Sequence, residues 1–432
     1  MVGRAFAAAA LFFVAPFALA SATAPGQLDA TFSGDGWLYS RQLYRSTDQR
    51  PAPRGVQDLA IQADGRIIVV GALDWNGQRR FGAYRFLADG SIDRSFATGG
   101  WVVTNVGDDT GEAHTVAVQR DGKIVLGGTT ICPQLRTCIV LVRYLSSGAL
   151  DASFGAGGIA RTVRPHYGSR GHAALDLAIQ PDGRIVALVR NNIQKFVVAR
   201  YLPDGRLDRS FSRDGFAEVG LRRDVTANGL ALQQGGRIVV VGSSERVGVT
   251  SSDFTIARLR ANGTLDRGFS GSGIRRVDFQ RREDAAYGVA VQRNGRIVIV
   301  GVSTTSVKPG HSRIALVRLR SDGRVDTAFG RRLTRPLSGG AGYGVAVQRD
   351  GRLVVAGIAY RDPSHRQTSR WLVLRYLGNG RLDRTFGSGG LAVYDFGTGD
   401  DYASSVGVQP DGKIVTGGQI YMDIGLARYL PR

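Results

Sequence analysis

The chain is poor in the residues that most often carry chemistry. Its 432 residues include two cysteines and five histidines. Cys132 and Cys138 have no histidine close in sequence, which argues against a zinc centre. The histidines, His114, His166, His172, His311 and His365, are scattered, with no carboxylate or nucleophile arranged around them. There is no GxSxG elbow, no HExxH pair and no phosphate-binding glycine loop. The residues therefore name no catalytic group, no metal site and no cofactor. Carboxylate pairs of the kind that hydrolyse glycosides stay open, because such partners can meet across distant segments. Helical periodicity is missing too. No repeated segment carries a 3.6-residue amphipathic pattern, so a helical solenoid is excluded.

What is present is repetition. From Gly344 the chain reads GVAVQRDGRLVVAG, then a polar loop, then WLVLRYLGNGRLDRTFGSGG. The same text recurs along the chain. The glutamine before the turn is Gln62, Gln119, Gln180, Gln233, Gln292, Gln348 and Gln409, at intervals of 57, 61, 53, 59, 56 and 61. Asp-Gly, Asn-Gly or Gly-Gly follows, between two β-branched runs, which is a strong hairpin signal. A third strand and a short strand bring the count to four per repeat. With the short strand numbered first, the turn joins strands two and three. Four strands at this period point to propeller blades.

A second marker closes the ring. Arg85/Asp93, Arg143/Asp151, Arg200/Asp208, Arg258/Asp266, Arg318/Asp326 and Arg375/Asp383 are each eight residues apart. A phenylalanine follows each aspartate by three. Arg428 has no such aspartate after it, while Leu28-Asp29-x-x-Phe32 has no arginine before it. Together the two fragments make one motif. The expected fold is all-β: a single closed seven-bladed β-propeller of four antiparallel strands per blade, over 25–432. The arginines and aspartates are expected to pair as scaffold, because partly buried charges need partners.

Residues 1–24 carry Arg4, an apolar run and small residues suited to cleavage. They read as a signal peptide, so a secreted or periplasmic protein is expected. No transmembrane segment is expected after cleavage. In an exported protein, Cys132 and Cys138 are expected to form a disulfide across the loop PQLRT.

The Asp-Gly turn and the Leu-Asp-x-x-Phe tail fall on one face of an up-and-down blade. The loops of the other face vary freely, and variable loops on a rigid scaffold are where recognition concentrates. They are basic: Arg79, Arg80, Arg164, Arg222, Arg223, Arg281, Arg282 and Arg366 are the ligand-binding candidates. The chain has a formal net charge of +20, which favours polyanions. Only four of the 56 basic residues are lysine, a skew that coding bias also leaves on a merely solvated surface. Three functions remain open. One is a binding module for an anionic polysaccharide, an envelope component or a protein partner. The others are a secreted polysaccharide hydrolase or lyase, and a structural matrix protein. No specific nucleic acid recognition is expected, and a monomer is.

The combination Q-x-D-G-K/R-I-V, R-Y-L-x-x-G and L-D-x-x-F-G-x-x-G closely resembles the delta-60 repeat, a bacterial repeat of β-propellers of unknown function. The resemblance covers 25–432 and implies the propeller fold. It supplies no catalytic residues. Two departures, at Gln234-Gly235-Gly236 and at Arg331-Arg332, are expected to leave their blades intact.

Overall fold

A computed structural model describes residues 24–431, except 40–50, 76, 108–109, 133–135, 164–171, 191–194, 222–224, 246–250, 281, 306–310, 363–368, 398 and 422. Its strands form seven four-stranded antiparallel sheets. The inner strands are Ala52–Ile61, Gly111–Val118, Ala173–Ile179, Thr226–Leu232, Glu283–Val291, Gly339–Val347 and Asp401–Val408. Each touches the inner strands on both sides, so they ring a common axis. We number the blades in that order. Each of the first six sheets follows chain order from its inner strand outward. The short strand, numbered first from the sequence, is therefore the outermost strand of the preceding repeat's blade.

Blade 7 is the exception that closes the ring. Its outermost strand is Trp37–Tyr39, paired antiparallel with Asp423–Tyr429 through Trp37↔Ala427 and Tyr39↔Gly425. The Asp29 N–H donates to the Arg428 carbonyl at 2.9 Å. The two ends of the chain thus share one sheet, and Trp37–Tyr39 covers the edge that Asp423–Tyr429 would otherwise leave open to mispairing.

The apolar runs are packed on both sides, which is why they read as continuous rather than alternating. In blade 2, Leu126, Val140 and Val142 join a core with Ile68, Val70 and Phe81 of blade 1. Their neighbours Val125, Ile139 and Leu141 face the other way, into a core with Ile185, Val197 and Tyr201 of blade 3. All of these residues are buried.

The hairpin turns differ from a simple two-residue link. In blade 6, only Gly351 takes positive φ, +85°. The Asp350 side chain stays on the normal side and accepts the Arg352 N–H at 3.0 Å, an Asx cap. Blade 4 lacks the aspartate and makes a short 3-10 turn over Gln234–Gly236 instead, with its hairpin register intact. Arg331–Thr334 also stays paired as the outer strand of blade 5.

The repeated Arg, Asp and Phe form one clamp per blade seam. In blade 3, Arg200 Nε lies 2.8 Å from Asp208 Oδ2, its guanidinium sits 4.6 Å from the Phe211 ring centre, and Nη1 donates to the Ala261 carbonyl of blade 4. Phe211 in turn packs against Gly263 of blade 4. The same arginine-to-next-blade bond recurs from Arg85, Arg143, Arg258, Arg318, Arg375 and Arg428. Each clamp aspartate also faces a second cation, from the residue just after the turn glycine: Arg66, Lys123, Arg184, Arg237, Arg296, Arg352 or Lys413. Part of the chain's basicity therefore belongs to the scaffold. Burial alone would raise Asp93, but Ser95 and Arg85 outweigh it and hold the carboxyl below its ordinary value.

The expected Arg258 and Asp266 pair of blade 4 forms as well, in a slightly different setting. Arg258 Nε does lie 2.8 Å from Asp266 Oδ2, but the rest of the Asp266 carboxylate is held differently. In blades 1, 2, 3, 6 and 7 a hydroxyl two residues on, such as Ser95, Ser210 or Thr385, donates to the other carboxylate oxygen at 2.6–2.7 Å, while blade 5 has Ala328 there. Residue 268 is glycine, so Asp266 Oδ1 accepts only the Gly268 N–H, at 3.2 Å. Two further cations stand off from it, Arg237 at 3.6 Å and Arg260 at 3.8 Å. Asp266 therefore sits among three arginines, one more cation than the second that every clamp aspartate faces.

Candidate functional site

The inner strands carry an irregularity that the repeat text does not announce. The register with the second strand slips once in each, for example between Ala113 and Thr115, Ala174 and Asp176, and Ala227 and Gly229. The residue left over in these three is His114, Leu175 and Asn228. Such bulges re-aim a side chain without ending the strand. These three, with Gln57 of blade 1, line a cavity of about 360 Å³ that also takes in Val189, Arg190, Lys195 and Val225 to Ala227. Arg190 and Lys195 flank the connection between the second and third strands of blade 3. Thr226 begins the inner strand of blade 4. By strand direction, the cavity opens on the face of the variable loops.

Its lining is cationic and amidic. Arg190 is exposed, and His114 and Asn228 are half-buried. Lys195 Nζ pairs with the Glu218 carboxylate. The Asn228 amide donates to the Ala286 carbonyl of blade 5 at 2.8 Å, which fixes its orientation. Burial and the nearby Arg190 charge both push the His114 imidazole below its ordinary pKa. No carboxylate is among the residues that line this cavity.

Two aspartates on the same inner strands serve another purpose. Asp58 accepts the Thr115 hydroxyl at 3.0 Å and the Val116 N–H at 3.1 Å from blade 2, and the Ser405 hydroxyl at 3.0 Å from blade 7. Asp176 accepts the Leu230 N–H of blade 4 at 2.7 Å. Both are latches between blades. Burial, with Asp58 adding repulsion, pushes the Asp176 carboxyl up to about 8. Across the ring, Tyr287, Tyr343 and Tyr402 of blades 5, 6 and 7 meet edge to face at 5.4 and 6.1 Å.

The structure spreads out the arginines singled out in the sequence. Arg79 pairs with Glu112 of blade 2, Arg80 donates to Gln78, and Arg282 is half-buried beside the inner strand of blade 5. Arg164, Arg222, Arg223, Arg281 and Arg366 lie outside the described residues, as do His166 and His365. Cys132 and Cys138 are placed within bonding distance, their Cα atoms 5.9 Å apart. The scaffold pairs form at the clamps: Arg85 with Asp93, Arg143 with Asp151, Arg200 with Asp208, Arg318 with Asp326, Arg375 with Asp383 and Arg428 with Asp29. Arg258 and Asp266 also meet, within the wider arginine cluster of blade 4. Sequence reasoning missed the bulge residues. The signal available was the residue pair at the slip, Asn228-Gly229, Tyr287-Gly288 and Tyr343-Gly344. There the glycine lets a neighbouring carbonyl come so close that a Cβ would lie 2.7 Å from Tyr287 O or 2.5 Å from Tyr343 O.

A ring of seven clamped blades with a polar cavity on one face defines a β-propeller with a single loop-bearing side. The family described as "Domain of unknown function (DUF5122) beta-propeller" matches residues 62–96, 119–154, 180–211, 233–269, 292–329, 348–386 and 409–431, and the chain belongs to it. No curated protein matches it. Among solved structures it is similar to the WD40 β-propeller domain of Doa1, at 13% identity over 88% of this chain and 94% of that one, with a TM-score of 0.44. It is similar to Sqt1 of Chaetomium thermophilum, at 13% identity over 85% and 80%, with a TM-score of 0.46. It is also similar to a family PL25 polysaccharide lyase, an ulvan lyase, at 12% identity over 89% and 95%, with a TM-score of 0.47. Among the described residues no helix is long and apolar enough to cross a membrane.

Proposed function

We propose that the protein is an exported, monomeric binding module that takes an anionic glycan in the cavity on its loop-bearing face. One observation carries this reading: the cavity gathers Arg190, Lys195, His114 and the amides of Gln57 and Asn228. The carboxylates on the neighbouring strands, Asp58 and Asp176, are spent on blade contacts. Arg190 and the amides, in a lining that holds no carboxylate and beside Lys195, which Glu218 already engages, suit a carboxylated or sulfated sugar. A cavity of about 360 Å³ lies at the small end of ligand pockets, roughly 300–1,000 Å³, and has room for a short stretch of a sugar chain.

The test is binding of the mature protein to uronate-containing and sulfated polysaccharides, lipopolysaccharide and DNA, at low and high salt. Selective binding that survives salt and is lost in Arg190→Ala supports a recognition site. Binding to every polyanion that vanishes with salt, or binding indifferent to Arg190→Ala, rejects it. A polysaccharide lyase or hydrolase is the second reading, because the lowered His114 pKa leaves a neutral imidazole beside Arg190. Release of shortened or unsaturated sugars in the same samples would favour it, whereas no selective ligand at all would favour a structural role. Export is tested by N-terminal sequencing of protein recovered from the medium or periplasm; the expected start lies near Ala24.

A further inference from the structure

The seam between blades 4 and 5 holds three carboxylates that neither the clamps nor the cavity uses. Asp253 opens the third strand of blade 4. Asp278 follows that blade's outer strand, Ile274–Val277, and Asp284 lies at the start of the inner strand of blade 5. Their oxygens all lie within 4.8 Å of one another. Asp253 is 2% exposed and Asp284 not at all. One Asp284 oxygen, Oδ2, accepts the Phe279 N–H at 2.7 Å. The other, Oδ1, is buried with no hydrogen-bond partner.

The molecule contains its own comparison. At the seam between blades 6 and 7, Asp395 stands where Asp278 does, and Asp401 where Asp284 does. The Phe396 N–H donates to Asp401 Oδ2 at 2.9 Å, the same contact as Phe279 to Asp284. The third corner differs. Five residues before the strand arginine, blade 6 has Arg370 where blade 4 has Asp253. Arg370 pairs with Asp395 at 2.7 Å. Blades 1, 3 and 5 also put a cation at that position, Arg80, Lys195 and Arg313. Four of the seven blades thus carry a cation at this corner, whereas blade 7 carries Asp423 and blade 4 carries Asp253.

We propose that Asp253, Asp278 and Asp284 bind a calcium ion that braces the seam between blades 4 and 5, in the place that Arg370 fills at the later seam. The ligand set is all oxygen, which selects a hard cation. Calcium holds oxygens at about 2.3–2.6 Å in flexible geometry, so oxygens across one ion are separated by roughly 4.6–5.2 Å at most. Magnesium demands a tighter, near-octahedral cage. An entry path exists: Asp278 and Phe279 line a cleft of about 720 Å³ between the outer strands of the two blades.

The experiment uses the whole mature chain, stripped with chelator and then melted with and without excess calcium chloride. It is paired with calorimetric titration of calcium chloride and of magnesium chloride. The wild type is expected to take up a single equivalent of calcium and to melt several degrees higher with it, with a much smaller response to magnesium. Asp253→Arg reproduces the blade 6 arrangement and is expected to melt at the same temperature in both conditions. Asp284→Asn, which keeps the shape and removes the charge, is expected to lose at least tenfold in calcium affinity, and it serves if the arginine variant does not fold. No calcium uptake by the wild type overturns the proposal. So does a calcium response that persists undiminished in both variants.

Discussion

Arg428 and Asp29, at opposite ends of the chain, sit 2.9 Å apart in the clamp that closes the ring. Arg428 Nη2 also reaches the Thr31 hydroxyl at 2.7 Å, and its guanidinium lies 4.9 Å from the Phe32 ring centre. Inside a continuous repeat Arg200 instead meets Asp208 through Nε at 2.8 Å, whereas Arg428 Nε is buried without a hydrogen-bond partner. The closing clamp keeps the ion pair and the ring beneath the guanidinium but lacks the Nε hydrogen bond of the internal ones.

Asp29→Ala and Asp208→Ala are each expected to strand a buried arginine, at a cost of about 3–5 kcal/mol. Denaturant unfolding of the two variants should give losses of similar size. A much milder loss for Asp29→Ala would mean that the N-terminal strand is only loosely attached.

The clamp also sets what its glycines tolerate. Gly205 (φ +87°) and Gly351 (φ +85°) have nearly the same backbone. A Cβ on Gly351 meets nothing within 4 Å, whereas one on Gly205 comes within 2.9 Å of the Phe154 ring. Gly351→Ala is expected to cost about 1–2 kcal/mol, the left-handed strain alone. Gly205→Ala adds roughly 1–3 kcal/mol of overpacking at the seam. Equal melting points for the two alanine variants would contradict the account of Phe154 as a seam residue.

These contacts explain how far the sequence could be read. The clamp was legible because it must be built at every seam: Arg, Asp and Phe keep fixed spacing because each touches the next blade at the same place. Ring closure was legible for the same reason, since the orphan halves at Asp29 and Arg428 could only complete each other. The third arginine at Asp266 was hidden by that same regular spacing; it turns on how near Arg260 comes. The site was less legible still. His114, Leu175 and Asn228 meet through bulges, whose residues vary from blade to blade and so leave no repeated letter. Asp253, Asp278 and Asp284 come together from two blades, and their meaning appears only beside Arg370, Asp395 and Asp401. The loop arginines were visible as charge, but charge did not say which of them face one cavity.

The cysteine pair gives a local test. Cys132 and Cys138 are six residues apart, and a bridge over so short a loop is worth about 2 kcal/mol. The double serine variant is expected to unfold at lower denaturant by that amount, and reductant should lower the wild type to match it. No effect of reductant would mean that the pair is not bridged in solution.

Stability should rise and then fall with pH, and different aspartates control the two limbs. The clamp carboxyls of Asp29, Asp93, Asp208, Asp326 and Asp383 are held below their ordinary value; burial opposes this, but hydrogen bonds and the clamp cations prevail. The unfolded chain takes up protons first, near the ordinary value of about 3.9. The stabilisation they contribute is therefore complete above that point and is lost as pH falls through the depressed folded values. Asp176 behaves in the opposite way. Burial, with repulsion from Asp58, raises it to about 8, although the Leu230 and Leu177 N–H groups pull it down. Burial likewise raises Asp58, against the N–H of Val116 and the hydroxyls of Ser405 and Thr115. Between about 4 and 8 the folded chain keeps a proton that the unfolded chain has released, so stability declines as pH rises through that window. Melting temperature measured against pH should show both limbs. Asp176→Asn is expected to flatten the upper limb and leave the acid limb in place, while Asp208→Asn weakens the acid limb and spares the upper one. If the decline towards pH 8 survives in Asp176→Asn, the proton is held elsewhere, and the latch to Leu230 is an ordinary ionised carboxylate.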